Sequence, residues 1–82
     1  MTARKLTGNW MFFSVDGVDV LRYSIKGTYA GELDNTAELI AHDYGIDKTR
    51  VVAEARQYFD GKVVDKAVYS WDTRRFVYAK AV

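Results

Sequence analysis

Along the chain, stretches that alternate apolar and polar residues give way to one stretch that repeats at helical spacing. Residues 9–15 (Asn-Trp-Met-Phe-Phe-Ser-Val) form a dense, ring-rich apolar run, the composition of a strand. Asp16-Gly17 follows, and an apolar run returns from 18 to about 29. Asp-Gly between two such runs predicts a hairpin, because a type I′ turn needs positive φ at both central residues. A two-residue turn sets Val15 opposite Val18, Phe13 opposite Val20 and Met11 opposite Arg22. On the other face it sets Phe12 against Leu21 and Trp10 against Tyr23. Gly27 and Gly31 mark the end of the second strand and a loop.

Asp34-Asn35-Thr36-Ala37-Glu38 opens a helix, with Asn35 as cap and Glu38 favoured near the positive end of the dipole. Ala37, Ile40, Ala41 and Tyr44 fall on one apolar stripe. Gly45 supplies the left-handed residue that stops it.

Residues 50–59 read two ways. Val51, Ala53, Ala55, Gln57 and Phe59 alternate with Val52, Glu54, Arg56 and Tyr58, as a strand requires; Val51, Val52, Ala55, Tyr58 and Phe59 also share a helical face. Ala-Glu-Ala-Arg favours helix locally. The flanks favour strand: Asp60-Gly61 is a second hairpin signal, and residues 62–72 alternate clearly. A turn at Asp60-Gly61 sets Arg56 opposite Asp65. A turn at Thr73-Arg74 sets Trp71 opposite Phe76 and Tyr69 opposite Tyr78. Both registers gather Ala53, Ala55, Val64, Val68, Val77, Ala79 and Ala81 on a smooth face suited to a crossing helix, with Lys66 as its one misfit. The opposite face collects large rings.

The predicted class is therefore α+β: an antiparallel sheet built from an N-terminal hairpin, one helix and a C-terminal three-stranded meander (ββαβββ), with the helix packed on one face. The alternative is ββααββ with a helix-turn-helix-like centre. The length of 82 residues fits one domain, 1–82, with 1–8 as a loose lead-in. A chain this short buries roughly 60–65% of its unfolded surface, so its stability is limited. It has no cysteine, which excludes a disulfide staple and cysteine-ligated zinc and suits a cytoplasmic setting. Twelve basic and eleven acidic side chains leave a formal charge of +1, unlike the basic excess of a strong nucleic-acid binder. No apolar run is long enough to span a membrane, and no apolar stretch of signal-peptide length follows the basic N-terminus.

The inventory for catalysis is thin. His42 is the one histidine, and it points away from the helix stripe; its neighbour Asp43 cannot face it at i+1. Ser14, Ser24 and Ser70 have no second histidine to activate them. Asp16, Asp19, Asp60 and Asp65 flank turns, where aspartate serves local hydrogen bonds. No phosphate-cradling glycine motif or calcium loop occurs. The expectation is a non-enzyme without cofactor, metal or evident small-molecule substrate.

Three segments carry resemblances. Ile40-Ala41-His42-Asp43-Tyr44-Gly45-Ile46 resembles the first helix and turn of helix-turn-helix DNA-binding domains, with Val51 matching the anchor of their second helix. That likeness implies that Lys48, Thr49, Arg50 and Glu54 face a major groove. The same residues resemble the Ile-Ala-x-x-Tyr-Gly-Val core of peptidoglycan-binding LysM modules, with Thr36 matching their threonine; their later asparagine falls on Ala55. Leu6-Thr7-Gly8-Asn9-Trp10 resembles the Gly-x-Trp entry strand of avidins and lipocalins, whose barrels need about eight strands.

Two functional readings follow. In the first, the chain is a small adaptor, regulator or inhibitor that binds a partner protein, or a second copy of itself, through Arg50, Arg56, Tyr58, Tyr69, Trp71, Phe76 and Tyr78, with Lys80 nearby. Its bland counterpart has the N-terminal hairpin fold over those rings and make them core. In the second, it binds nucleic acid, either through residues 36–59 or by stacking bases on the aromatic face, with Lys48, Thr49, Arg50, Arg74 and Arg75 as the basic patch. The size and plan are shared by small regulatory proteins of phages and plasmids, which is an analogy of fold alone.

Overall fold

The computed structural model describes residues 6–25 and 30–78. Its elements are β1 (Gly8–Val15), β2 (Val18–Ser24), α1 (Ala30–Tyr44), a 3-10 turn (Lys48–Arg50), β3 (Val51–Phe59), β4 (Lys62–Ser70) and β5 (Arg75–Tyr78). The strands form one antiparallel five-stranded sheet in the order β2-β1-β3-β4-β5, and α1 packs on one face. This is the predicted α+β, ββαβββ plan.

The ββααββ alternative is excluded. Residues 51–59 are the central strand, laddered to β1 on one edge and β4 on the other. Two ladders and alternating burial override a local helix preference worth only tenths of a kcal/mol per residue (up to ~0.7). The N-terminal hairpin does not fold over the sheet; β1 joins it edge to edge beside β3.

Both Asp-Gly turns have the required geometry, with φ of 51° and 84° at Asp16 and Gly17, and 51° and 81° at Asp60 and Gly61. Beyond the turns, three irregularities correct the predicted registers. In the first hairpin Ser14 faces Asp19 but Phe13 faces Leu21, so Val20 is the extra residue of a bulge. Met11 thereby meets Tyr23 rather than Arg22, and the Tyr23 ring stacks on Phe13 at 6.1 Å on the helix side. In the second hairpin Tyr58 faces Val63 but Gln57 faces Asp65, so Val64 is extra and Arg56 lies opposite Lys66, not Asp65. Between β4 and β5 the connection runs over residues 71–74 rather than Thr73-Arg74 alone. It closes with Arg74 at φ 56°, its N–H donating to the Ser70 carbonyl at 2.9 Å. Tyr69 consequently pairs with Phe76, and Ala67 with Tyr78.

Each bulge turns later side chains to the other face, whereas the longer last connection shifts the β4–β5 register by two residues and leaves the faces unchanged. The predicted aliphatic face is therefore split. Ala53, Ala55 and Ala67 face α1 together with Tyr69 and Phe76, whereas Val68 and Val77 lie on the opposite side. Ala79, Lys80 and Ala81 lie outside the described residues, as does the expected extension of the second strand over 26–29. The packing reason is volume: the alanines admit the helix but leave space at the flanks, which Tyr69, Trp71 and Phe76 help to fill.

α1 begins at Ala30, earlier than the predicted start, so Asn35 is an exposed mid-helix residue rather than the cap. Leu33, Ala37, Ile40 and Ala41 form its buried stripe against Met11, Phe13, Val15, Val51 and Ala53. Gly45, at φ 64°, ends it: the Gly45 N–H donates to the His42 carbonyl (3.2 Å) and the Ile46 N–H to that of Ala41 (3.0 Å), a Schellman closure.

Candidate functional site

With α1 on one side, the other face of the sheet carries no covering layer among the described residues. Alternation places Trp10 and Phe12 of β1, Arg22 of β2, Val52, Glu54, Arg56 and Tyr58 of β3, Lys66 and Val68 of β4, and Arg75 and Val77 of β5 on this face.

The half nearer β2 is closed by its own side chains. The Arg56 guanidinium lies over the Phe12 ring and reaches Asp19 on β2 at 3.0 and 3.2 Å, while its Nε donates to Glu54. Burial alone would lower the Arg56 pKa, but hydrogen bonds to Asp19, Glu54 and Tyr58 outweigh it and raise it further. Tyr58 sits beside Phe12, with ring centroids 5.9 Å apart. Arg22 lies 5.7 Å from the Trp10 ring centroid, and the Trp10 indole N–H donates to the Thr7 carbonyl at 3.0 Å.

The half nearer β5 is open and aliphatic. Val68 and Val77 are directly paired; Val77 is 60% and Val52 40% exposed, and Val68 is half-buried. Lys66 and Arg75, both exposed, flank them.

The residues proposed from sequence as one surface divide among three places. Arg56 and Tyr58 are on the uncovered face. Tyr69, Trp71 and Phe76 are on the helix side; Tyr69 is buried and contacts Trp71 and Phe76 edge-on at 5.2 and 5.1 Å. The Trp71 indole N–H donates to the Val51 carbonyl at 2.9 Å, and Lys48 Nζ lies 4.9 Å from its ring centroid. Tyr78 is placed by its backbone opposite Ala67. Arg50 pairs with Asp16 of the first turn at 2.6 Å.

The basic patch proposed for nucleic acid is also divided. Lys48 is held by Asp34 at 2.7 Å, and Thr49 donates from its backbone and hydroxyl to Asp47 at 2.9 and 2.7 Å. The backbone bond first, then the hydroxyl bond, holds the Asp47 carboxyl below its ordinary range. Arg74 lies in the β4–β5 loop, and Arg75 alone of the five belongs to the uncovered face. Among the described residues only the 3-10 turn is helical after Gly45, so the second helix of a helix-turn-helix is missing.

Sequence reasoning placed Trp10 with Phe12 and Val68 with Val77 but missed that both pairs share a face with Val52 and Asp19. No local signal marks the β1–β3 pairing and the Val64 bulge that bring them together. The helix is acidic by contrast: Glu32, Asp34, Glu38 and Asp43 with no lysine or arginine. On the helix side, Asn9, Ile25, Ala55, Gln57, Asp65 and Phe76 help to line a groove of about 320 Å³. His42 is exposed, and no cluster of three His, Asp or Glu among the described residues is placed to hold a metal ion. No helix of the described residues is long and apolar enough to cross a membrane. Comparison with protein families, curated proteins and solved structures finds no match in any of the three.

Proposed function

We propose that this protein is a small non-catalytic interaction module, an adaptor or inhibitor, which docks a partner protein on the uncovered face of its sheet. The observation that carries the reading is the exposed aliphatic patch of Val52, Val68 and Val77, flanked by Lys66 and Arg75, on the same uncovered face as Trp10, Tyr58 and Arg22. Contiguous apolar surface on a small domain marks interaction sites, and Trp, Tyr and Arg are the residues enriched at their centres. The absence of cysteine supports a cytoplasmic setting.

Nucleic-acid binding is the weaker reading. A base-stacking platform needs bare rings, and Phe12 is 4% exposed beneath Arg56. The groove-reading alternative lacks its second helix.

The test is capture from native lysate, with and without nuclease, by the wild-type chain and by Val52→Glu/Val77→Glu. Both valines are exposed, so the variant retains the fold, checked by circular dichroism. Nuclease-resistant proteins that the variant fails to hold support the reading. Equal capture by both chains, or capture abolished by nuclease, refutes it.

A further inference from the structure

Charge on the uncovered face specifies what its partner offers. Both carboxylates on that face, Asp19 and Glu54, are engaged by Arg56. Arg22, Lys66 and Arg75 have no anionic partner among the described residues. Lys66 and Arg75 flank the aliphatic centre and Arg22 lies across the sheet on β2, so among the described residues the face presents three unneutralised cations and no free carboxylate.

We propose that the partner segment is acidic and amphipathic, with aliphatic side chains seated on Val52, Val68 and Val77 and carboxylates directed to Arg22, Lys66 and Arg75; this rests on the docking reading above. The three valines lie on adjacent strands at about 5 Å per strand, roughly 10 Å across from β3 to β5, with Val52 two residues along β3 from the Glu54–Val68–Val77 row. Two or three aliphatic anchors of one short segment cover that distance. Complementary charge then supplies orientation and rate.

Two other occupants fit less well. A second copy related by a two-fold axis would bring like cations against each other across the contact, with no free carboxylate on either face to meet them. A single-stranded nucleic acid would supply phosphates, but its bases would meet valines rather than open rings.

The experiment is selection of random peptides on the immobilised full-length protein. Counter-screens use Val52→Glu/Val77→Glu and Arg22→Glu/Lys66→Glu/Arg75→Glu, each verified as folded. In parallel, sedimentation is run on the protein alone and a fluorescent oligo-dT is titrated. The proposal expects enriched peptides rich in Asp or Glu with aliphatic anchors, and loss of at least about tenfold in affinity on either variant. Binding also weakens as salt is raised from about 50 to 500 mM. Neutral or basic peptides that still require Val52 and Val77 overturn the charge assignment while leaving the docking surface in place. A dimer disrupted by Val77→Glu replaces the acidic partner with a second copy. Absence of any peptide dependent on the valines, or tighter binding of oligo-dT, overturns both.

Discussion

The guanidinium of Arg56 lies 4.0 Å from the ring centroid of Phe12, on the face of the sheet opposite α1. Asp19, far away in sequence, holds that guanidinium in place through both terminal nitrogens. One cation and its aliphatic stem thus shield a ring that a larger domain would bury under a second layer.

Removing this shield destabilises the fold. Arg56→Ala exposes Phe12 and leaves Asp19 and Glu54 without their cation, with an expected loss of about 1–3 kcal/mol. Arg56→Met keeps the stem and loses less. Urea unfolding of the three proteins checks the order, and an alanine variant as stable as wild type would show that the clamp contributes nothing.

Among the described residues the buried hydroxyl of Tyr69 has no hydrogen-bond partner, in a residue only 4% exposed. An unmet buried hydroxyl costs about 1–3 kcal/mol, so Tyr69→Phe is expected to be neutral or stabilising. Tyr69→Ala opens a cavity and loses about 3–5 kcal/mol. Thermal melts decide; a clear loss in the phenylalanine variant contradicts the assignment.

Stability depends on pH at two ends. Burial, and then the negative charge of Glu32, raise the Tyr23 pKa above its ordinary 10.0. The folded state thus keeps this proton more tightly, so the contribution is complete below pH 10 or so and is lost as pH rises further. Asp47 behaves oppositely. Its lowered pKa gives a contribution present above the ordinary carboxyl range and lost as pH falls through the lowered value. Melting temperature against pH should flatten on the alkaline side in Tyr23→Phe and on the acid side in Asp47→Ala; unchanged profiles would remove these groups from the account.

The bulge at Val64 sets which side chains of β4 reach the core. Deleting Val64 restores the simple hairpin count and drives Ala67 and Tyr69 toward the uncovered face. The deletion should abolish cooperative unfolding, whereas Val64→Thr, at an exposed position, should change stability by less than about 1 kcal/mol. Comparable stability of the two variants in denaturant titration would mean that the register tolerates the shift.

Legibility in the sequence followed local chemistry. Asp16-Gly17, Asp60-Gly61 and Gly45 announce conformations that few other residues adopt, so both tight turns and the helix end were readable. The Ala37, Ile40 and Ala41 stripe was readable from its spacing. The bulges were not, because Val20 and Val64 look like ordinary strand residues. Nor was the longer last loop, where Arg74 takes a positive φ without being glycine. Since side-chain direction depends on counting by twos, the two bulge residues scrambled the face assignment, while the longer loop moved the last register by two and kept its faces; strand number and order of elements stayed intact. The Arg56–Asp19 clamp depends on the pairing of β1 with β3, segments far apart in sequence, and could not be read before the fold.

The sheet's middle seam has a consequence for how the chain is made. Gly8 pairs with Tyr58 and Val15 with Val51, so the β1–β2 hairpin must wait for β3, which follows α1 in the chain. Until β3 emerges, β1 is paired with β2 alone, and its open edge can recruit a wrong strand. Folding on the ribosome thus waits for β3: nascent chains arrested before Val51 should be protease-sensitive, and those that expose β3 through β5 should be protected.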